Sequence, residues 1–462
     1  MKRPLLLLFI AFFVMSVSAQ QKQEQDTTSA KGKEKAKKIK TGWNFGALPV
    51  IAYDTDMGFE YGALVELYQW GKGDIYPDYY HKFYFEASGY TKGSSVFRFN
   101  YESAHLIPGV RLSTDLAYLY DGAYDFYGFN GYDAVFNKSW ADQDINGGAD
   151  YKTRMFYREL RKLFRFKNDF VGKIAGEHFF WNAGFAIQNF DVSSVDIAKF
   201  NKGKSSGLLP SVDSVPGLYE LYQKWGILSS SEANGGLINT VKLGVAWDSR
   251  DNRPNPMKGI WTEAGIETSQ KFLGSEATFG KFYFTYRQYF TIVPNDLSFA
   301  YRLGYQQTIF GTVPFYYQSQ MIVSVLRGDY SEGLGGSKTL RGILRNRIIG
   351  DGFFYGNAEF RWKAVRFTFI NQNWYIGINA FTDFGMVTDK IKFTQPSDAT
   401  LAASGYTSDQ FFDQGAEKLH VSAGGGLRVV MNENFVIAID LGKAFNPQDG
   451  NIGLYIGLNY LF

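Results

Sequence analysis

The sequence predicts an all-β protein, a 16-stranded antiparallel transmembrane β-barrel with long extracellular loops. Three observations support this fold. Apolar residues alternate with a period of two from Trp43 onward, and the strands run for about 10 to 14 residues. Aromatic residues, 18% of the chain, cluster near strand ends, as at 79–84, 282–289 and 374–375. Cysteine is absent, which excludes disulfide frameworks, thiolate zinc sites and cysteine nucleophiles. The net charge of +3 is too close to neutral to indicate nucleic acid as a partner.

The first 19 residues predict a secretory signal peptide. Lys2 and Arg3 form a basic start, an apolar run follows over 5–14, and small residues end the segment at Ala19. The apolar run is too short to span a membrane, so we interpret residues 1–19 as a cleaved signal rather than an anchor. The mature chain is then exported.

Residues 20–41 predict a disordered, lysine-rich periplasmic tether. Few of these residues can be buried, and most of the charged ones are lysines. A solvated tail is the usual reading of such a run. The alternative is a contact with acidic headgroups or with a periplasmic partner.

Residues 42–462 predict the outer-membrane barrel itself. Alternation is clearest in the last strand, where one apolar face carries the residues Ile452, Leu454, Ile456, Leu458, Tyr460 and Phe462. In the segment 353–363, the opposite face carries Asn357, Glu359, Arg361 and Lys363. Alternation alone also fits a soluble sandwich. Charge on the inner face favours a water-filled lumen, because a dry core does not tolerate it.

The strand count gives a further test of the barrel. Long connections follow odd-numbered strands and short ones follow even-numbered strands, as expected of an outer-membrane barrel of a Gram-negative bacterium with both termini in the periplasm. No later apolar run is long enough for a membrane helix, so an exported chain of this kind spans only by closing its sheet. The predicted strands are 44–54, 57–69, 79–90, 95–105, 109–120, 154–166, 177–190, 236–248, 258–270, 275–290, 295–308, 352–366, 373–387, 418–430, 434–445 and 451–462.

Four segments of the chain carry a family resemblance. The turn between strands eight and nine has Asp248, Arg250, Asn252, Pro256 and Gly259 at the positions of a D-x-R-x-N-P-x-x-G motif. The segment Gly335-Gly336-Ser337-Lys338-Thr339-Leu340-Arg341-Gly342 is similar to a G-G-x-x-x-V-R-G loop tip. The segment Phe381-Thr382-Asp383-Phe384-Gly385 matches F-x-D-x-G, and the chain ends in an aromatic residue, Phe462.

In these motifs the chain resembles the BamA/TamA (bacterial surface antigen) superfamily of outer-membrane assembly and translocation barrels. The resemblance implies that loop 6 folds inward and is held in the lumen by a pair between Arg341 and Asp383. Gly342, Phe381, Gly385, Glu359 and Arg361 belong to the same predicted loop-6 lock. The residues alone leave open that Arg341 is solvated and that Asp383 pairs with Arg361 or Lys363.

The chain also departs from the family pattern. Leu340 stands in place of valine, and Ile343 occupies a position where the family prefers an aromatic residue. Residues 20–41 are too few to fold as a POTRA domain, the periplasmic module that members usually carry. We therefore expect a member that lacks POTRA domains.

A second candidate site is the lateral seam between the first and last strands, with Phe462 at its end. Gly46 and Pro49 lie on strand one, and Gly453 and Gly457 on strand sixteen. Proline donates no hydrogen bond and glycine weakens a strand, so few seam hydrogen bonds are expected. The alternative is that Pro49 precedes the paired part of its strand. In the resembled family the seam opens toward lipid.

Enzyme signals are weak throughout the chain. The G-x-S-x-G match at Gly203–Gly207 lies in a polar loop without the strand and helix that a nucleophile elbow needs. The segment 333–339 lacks the lysine position of a phosphate-binding loop. The four histidines, His81, His105, His178 and His420, show no metal-binding spacing. We expect no enzyme, no cofactor and no metal.

The predicted function is assistance in the insertion, assembly or translocation of outer-membrane or secreted proteins through the lateral seam. The expected partners are outer-membrane lipids or lipopolysaccharide, unfolded outer-membrane protein substrates and accessory subunits, with no nucleic acid. The alternative is a passive pore or a structural subunit of a larger outer-membrane complex.

Overall fold

A computed structural model describes residues 39–462 except 77, 371 and 434. In this part of the chain, sixteen strands, β1 to β16, form a closed antiparallel barrel, which confirms the predicted fold class and strand number. The predicted signal peptide and residues 20–38 of the predicted tether lie outside the described residues. In order, the strands are Trp43–Asp54, Gly58–Gln69, His81–Tyr90, Ser94–Ile107, Val110–Asp125, Arg158–Ala175, Phe179–Ser193, Gly235–Asp248, Gly259–Ser269, Phe279–Val293, Leu297–Gly311, Gly352–Phe369, Gln372–Asp389, His420–Met431, Phe435–Ala444 and Ile452–Leu458.

Each strand pairs with the next along the chain, and β16 returns to β1. Because β11 pairs directly with β12, residues 312–351 leave the wall; we call this segment loop 6. Two short strands, Gln320–Ser324 and Asp329–Glu332, pair within it as a separate hairpin. The described residues contain five short α-helices, and all of them lie in connections: Lys138–Ala141, Ile197–Asn201, Leu218–Lys224, Phe315–Gln318 and Asp398–Ala402.

The two ends of the barrel differ in their connections. Strand β1 begins, and β16 ends, at one end, here called the terminal mouth, where the connections have at most 11 residues. The long connections 126–157, 194–234, 312–351 and 390–419 all lie at the other end, the loop mouth. The four long connections therefore all follow odd-numbered strands, as predicted. None of the helices among the described residues is long or apolar enough to cross a membrane.

An aromatic cluster closes the loop mouth. It draws buried residues from all four long connections, among them Phe126, Tyr222, Phe315 and Phe411. Phe126 meets both Tyr222 and Phe315 edge to face, with ring centroids 5.4 Å apart in each pair. Such pairs add stabilisation beyond the area that they bury. The long connections thus form one packed layer over the lumen.

Side chains alternate across the wall as the sequence indicates. On β12, Phe360 and Trp362 are about half exposed on the outside, whereas Glu359 and Arg361 are buried inside. On β13, Phe381 and Asp383 point inward and Ile378 points outward. This arrangement follows from the two-residue repeat of a strand, which sends neighbours to opposite faces.

Several predicted strand boundaries are wrong. The fifth strand, for example, ends at Asp125 rather than at residue 120. The sixth strand runs over Arg158–Ala175 rather than 154–166, because Lys167 and Asp169 continue the alternation as buried inward-facing residues. The last strand ends at Leu458 rather than at residue 462. Asn459 has a φ of 69°, in the left-handed region, and this reverses the chain. Tyr460 and Phe462 are consequently buried rather than members of the outer apolar face.

Candidate functional site

Loop 6 lies inside the barrel rather than outside it. Its helix is part of the aromatic cluster, and its hairpin runs along β9, β10 and β11. At the hairpin tip, the carbonyl oxygen of Leu326 accepts a hydrogen bond of 2.7 Å from Arg111, the second residue of β5. Since β5 begins at the terminal mouth, the tip reaches deep into the lumen.

The loop-6 lock is centred on the buried Arg341. Its Nε and Nη2 donate to the two carboxylate oxygens of Asp383 at 2.9 and 3.0 Å, and its backbone N–H donates to the same carboxylate at 2.9 Å. Nη1 donates to Glu359 Oε1 at 2.9 Å. The guanidinium also lies over the ring of Phe381, 3.5 Å from its centroid. This bidentate, charge-assisted geometry fixes the loop tip in orientation as well as in position.

The register of the wall explains why these residues meet. Strand β12 places Asn357 opposite Asp383 and Glu359 opposite Phe381 on β13, so both carboxylates lie in adjacent inward-facing positions. Leu340, beside Arg341, is fully buried in a cluster with Phe353 and Val387. The packing of Leu340 thus places Arg341 beside the carboxylates of Asp383 and Glu359.

A wider charge network surrounds the lock. Arg361 donates to Glu359 Oε2 from Nη2 at 2.8 Å, and Arg428 donates to Asp440 at 2.9 Å. Asp440 also lies 3.4 Å from Nη1 of Arg341. Three arginines therefore face three carboxylates across β12 to β15. We call this region the locked wall.

The network also decides between the pairings that the sequence left open. Asp383 binds Arg341, Arg361 binds Glu359, and Lys363 donates to Glu433 at 2.7 Å. Burial alone lowers the pKa of Arg341, but Asp383 and Glu359 outweigh it and raise the pKa well above its ordinary value. Arg341 is therefore charged at neutral pH.

Two glycines of the motifs allow close approach of the loop to the wall. Gly342 has a φ of 92°, and a Cβ there would lie 2.6 Å from the backbone carbon of Gly442 on β15. Its N–H donates to the hydroxyl of Tyr455 on β16 at 3.1 Å. At Gly385, a Cβ would lie 3.1 Å from the side chain of Leu340. Glycine thus makes room for the loop tip.

The turn 249–258 between β8 and β9 is organised by its motif residues. Arg250 donates to both oxygens of Asp248 at 2.8 Å. The side-chain oxygen of Asn252 accepts the N–H of Asn255 at 3.1 Å, and Pro256 is buried. Gly259 has a φ of 113°, and a Cβ there would lie 2.3 Å from a backbone oxygen.

This turn also crosses the terminal mouth. The side-chain amide of Asn255 donates to the hydroxyl of Tyr375 on β13 at 2.6 Å and to Glu433 at 3.2 Å. The turn connects β8 and β9, so these contacts are with the opposite wall. The terminal mouth is therefore bridged by the turn, just as the loop mouth is covered by the aromatic layer.

The seam between β1 and β16 is the least paired junction in the described barrel. Only Tyr53↔Ile456 and Asp54↔Tyr455 are in register, whereas β16 has seven paired residues with β15. The N–H of Thr55 donates to the carbonyl of Leu454 at 3.1 Å just beyond the pairs. Most of β1, from Trp43 to Ala52, therefore has no ladder partner on its seam side.

The glycine and proline residues predicted for the seam lie on β1 and β16, but outside the short stretch in which these strands pair. Gly46 and Pro49 lie on β1 outside the paired stretch, opposite Glu66 and Ala63 of β2. On β16, Gly453 and Gly457 pair with Gly442 and Ala438 of β15. None of these four residues is in the two-residue β1–β16 register.

Phe462 does not lie at the seam, which corrects its predicted place there. After the reversal at Asn459, its ring packs in a buried cluster with Trp261, Tyr289 and Ala300. Its carbonyl oxygen accepts a hydrogen bond of 3.0 Å from Arg361. The hydrogen bond from Arg361 and the packing in this cluster therefore hold Phe462 inside the lumen, although the alternation of the last strand would place it on the outer face.

Sequence reasoning missed several residues of the site. Arg428, Asp440, Tyr455 and Glu263 occupy inward positions of their strands, and this alternation is the one signal that marks them. The histidines are scattered, and His420 is enclosed by Asp449 and Glu417 at 2.6 and 3.2 Å. Among the described residues, no group of three or more His, Cys, Asp or Glu is arranged to hold a metal ion.

Comparison with known proteins gives one family and several similar folds. The model of the Omp85 superfamily domain matches residues 78–460. BamA from Haemophilus ducreyi lacking POTRA domains 1–3 is similar with a TM-score of 0.54 and 13% identity, over 91% of this chain and 71% of that chain. CdiB from Escherichia coli is similar with a TM-score of 0.52 and 8% identity, over 90% of this chain and 62% of that chain. At these identities the likeness shows the fold alone. No match is found among the curated proteins.

Proposed function

The chain belongs to the Omp85 superfamily, and from this premise we propose that it assists the insertion, assembly or translocation of outer-membrane or secreted proteins through its lateral seam. The single observation that carries this proposal is the short pairing at the seam, where only two residues of β1 pair with β16 in the described barrel, next to the locked wall. The substrates are unfolded outer-membrane or secreted proteins.

The mechanism follows from the unequal strength of the two regions. The lock ties loop 6 to β12 and β13 through Arg341 and to β16 through Tyr455, so this side of the barrel stays together. Opening the seam breaks few hydrogen bonds, each worth about 0.5–1.5 kcal/mol net. The free edge of β1 then offers its N–H and C=O groups to an incoming strand, as sheet edges do in β-augmentation.

The passive pore is the weaker candidate. Loop 6 lies in the lumen, the turn 249–258 bridges the terminal mouth, and the aromatic cluster covers the loop mouth. A structural subunit that keeps the fold but inserts nothing has the same contacts, so experiment must separate it from the proposed function. The proposal also places both termini in the periplasm, with outer-membrane lipids around the wall and accessory subunits as partners.

A disulfide across the seam tests the proposal. The natural chain has no cysteine, so Tyr53→Cys together with Ile456→Cys gives one possible bond between directly paired residues. Oxidation is expected to stop the assembly of outer-membrane or secreted proteins in cells that depend on this chain, and a reductant is expected to restore it. The measurement is the amount of folded substrate recovered in the outer membrane.

The matched control is a disulfide at a junction that the mechanism leaves closed. Leu441→Cys with Leu454→Cys joins β15 to β16, which are already paired over seven residues. This bond should leave substrate assembly unchanged. Normal assembly with a fully formed seam disulfide would reject the insertase role and favour the structural subunit.

A further inference from the structure

Residues 320–326, the first strand and the tip of the loop-6 hairpin, are hydrogen-bonded to the barrel wall mainly through their main chain. Farther along the hairpin, the hydroxyl of Tyr330 accepts a hydrogen bond from Lys242 of β8. Among the described residues, the barrel wall makes eight hydrogen bonds with residues 320–326, and seven of them go to backbone N–H or C=O groups. The eighth is from the hydroxyl of Ser324 to Glu263. The hydrogen bonds from the wall to this segment therefore go mainly to its main chain, while the side chains of Ile322 and Val325 pack against Tyr283 of β10.

Donors on the wall hold the carbonyl groups of the hairpin. Lys281 Nζ donates to the carbonyl of Gln320 at 2.9 Å, and Arg287 Nη2 donates to the carbonyl of Val323 at 2.6 Å. Arg111 donates to the carbonyl of Leu326 at 2.7 Å. These three cations come from two separated strands, β10 and β5, and follow the segment down the lumen.

Acceptors on the wall hold the N–H groups. One carboxylate oxygen of Glu263 accepts the N–H groups of Val325 and Leu326 at 2.7 and 3.1 Å. The side-chain oxygen of Gln306 accepts the N–H of Ile322 at 3.2 Å, while its amide donates to the carbonyl of Gln320 at the same distance. We call Arg111, Glu263, Lys281, Arg287 and Gln306 the socket.

Removing the hairpin from the socket is energetically unfavourable. Glu263 and Arg287 are each 1% exposed and lie 3.5 Å apart. The hairpin supplies three hydrogen-bond donors to Glu263 and one acceptor to Arg287. Buried charges that lose their partners are strongly unfavourable. Whenever the hairpin leaves, the socket needs water or another chain with the same pattern of donors and acceptors.

We propose that the socket is a binding site for the main chain of an extended polypeptide, and that the loop-6 hairpin is its resident occupant. This inference rests on the proposed function and names how the lumen would recognise a passing substrate. Recognition through backbone groups is independent of side-chain sequence. It demands free N–H groups opposite Glu263 and Gln306, so proline or an N-methylated residue at those positions is excluded.

The hairpin can be removed at its base without stretching the loop. The N–H of Gly333 donates to the carbonyl of Ser319 at 2.6 Å, so these two residues are already adjacent. In the full chain, residues 320–332 are replaced by Asn-Gly, a pair suited to a two-residue turn. The purified barrel is inserted in a planar lipid bilayer, and the ion current is recorded with an uncharged, unstructured 20-residue peptide of Ala, Ser, Gly and Gln.

The peptide is expected to block the current of the variant in discrete events. The same peptide with N-methyl groups on alternate residues should give blocks at least tenfold shorter. Adding Arg287→Met or Glu263→Gln should shorten the blocks to the same degree. Arg98→Met is the matched control, because Arg98 pairs with Asp115 and makes no hydrogen bond with the hairpin.

A second variant covers failure of the shortened loop to fold. Val325→Pro keeps the whole hairpin but removes an N–H that Glu263 accepts, and it should make the barrel sensitive to the same peptide. Equal blocks by the plain and N-methylated peptides, or blocks unaffected by Arg287→Met, would overturn the socket. The assay measures binding in a purified barrel, so its failure leaves the seam-disulfide result untouched, and the reverse also holds.

Discussion

The locked wall and the seam meet at β16 but are held together in opposite ways. On one side of β16, three arginines and three carboxylates bind one another across β12 to β15. On the other side, two residues of β1 pair with β16, although β1 pairs with β2 along all twelve of its residues. Strand β16 is therefore firmly held to the locked wall and only weakly held to β1.

The comparison also indicates which strand moves. Tyr455 of β16 accepts the N–H of Gly342 in loop 6, which the lock holds to the wall. Beyond β16, the carbonyl of Phe462 accepts a hydrogen bond from Arg361. Strand β1 has no equivalent tie to loop 6 among the described contacts. We therefore expect the seam to open by displacement of β1 and β2 away from a stationary β16.

The largest expected effect comes from breaking the lock. Asp383→Ala leaves Arg341 without its bidentate partner in a fully buried position, and such a loss costs about 3–5 kcal/mol. The free energy of unfolding in detergent micelles, followed by tryptophan fluorescence in guanidinium, measures this. Arg366→Ala removes a half-exposed pair with Asp296 and should cost less than about 1 kcal/mol. Similar losses in both variants would show that the buried lock stabilises the barrel no more than an exposed ion pair does.

A smaller effect is expected from crowding the loop tip. Gly342→Ala puts a Cβ 2.6 Å from the backbone of Gly442 in a residue with a φ of 92°. The strain should cost about 2–3 kcal/mol and should raise ion conductance through the barrel as the tip withdraws. Gly457→Ala is the matched control on β16, where a Cβ meets nothing within 4 Å, and it should change neither quantity. An unchanged Gly342→Ala barrel would show that the tip is not tightly seated.

The sequence predicts the wall far better than the interior. Period-two alternation and connection lengths are local properties, so the strand count and the inward positions of Phe381 and Asp383 follow from them. The pairing of Arg341 with Asp383 needed the family resemblance, because spacing alone left Arg361 and Lys363 as equal partners for Asp383.

Two features were beyond sequence reasoning for physical reasons. Tyr460 and Phe462 continue the alternation of the last strand, and only the backbone conformation of Asn459 and the distant Arg361 turn them inward. The socket residues bind main-chain groups of loop 6, and such groups are the same in every sequence. No motif could therefore have linked Glu263 or Arg287 to the hairpin.

Hydrogen exchange sharpens the comparison without a mutation. Amides of β1 that point toward the seam lack a ladder acceptor over most of the strand, whereas β13 is paired on both sides. Exchange follows local opening, so seam-side amides in residues 43–52 should exchange at least about tenfold faster than those in 375–385. Mass spectrometry of peptides from these segments in detergent or nanodiscs measures the rates. Equal protection would mean that β1 and β16 pair further in the membrane than the two residues seen here.

The smallest effect concerns pH at the paired end of the seam. Asp56 lies in the turn between β1 and β2, where burial, with help from the charge of Asp54, raises the pKa of its carboxyl from 3.8 to about 6. Because the folded state binds this proton more tightly than the unfolded state, the barrel should gain stability as the pH falls from about 6 toward 4. Asp56→Asn should remove this gain and stabilise the barrel at pH 7, whereas Asp54→Asn should move the transition to lower pH.

The free energy of unfolding measured from pH 4 to pH 8 tests all three chains. A flat profile in the natural chain would mean that Asp56 is solvated and the turn is open. The lock should contribute no such slope through Arg341, whose pKa lies well above this range.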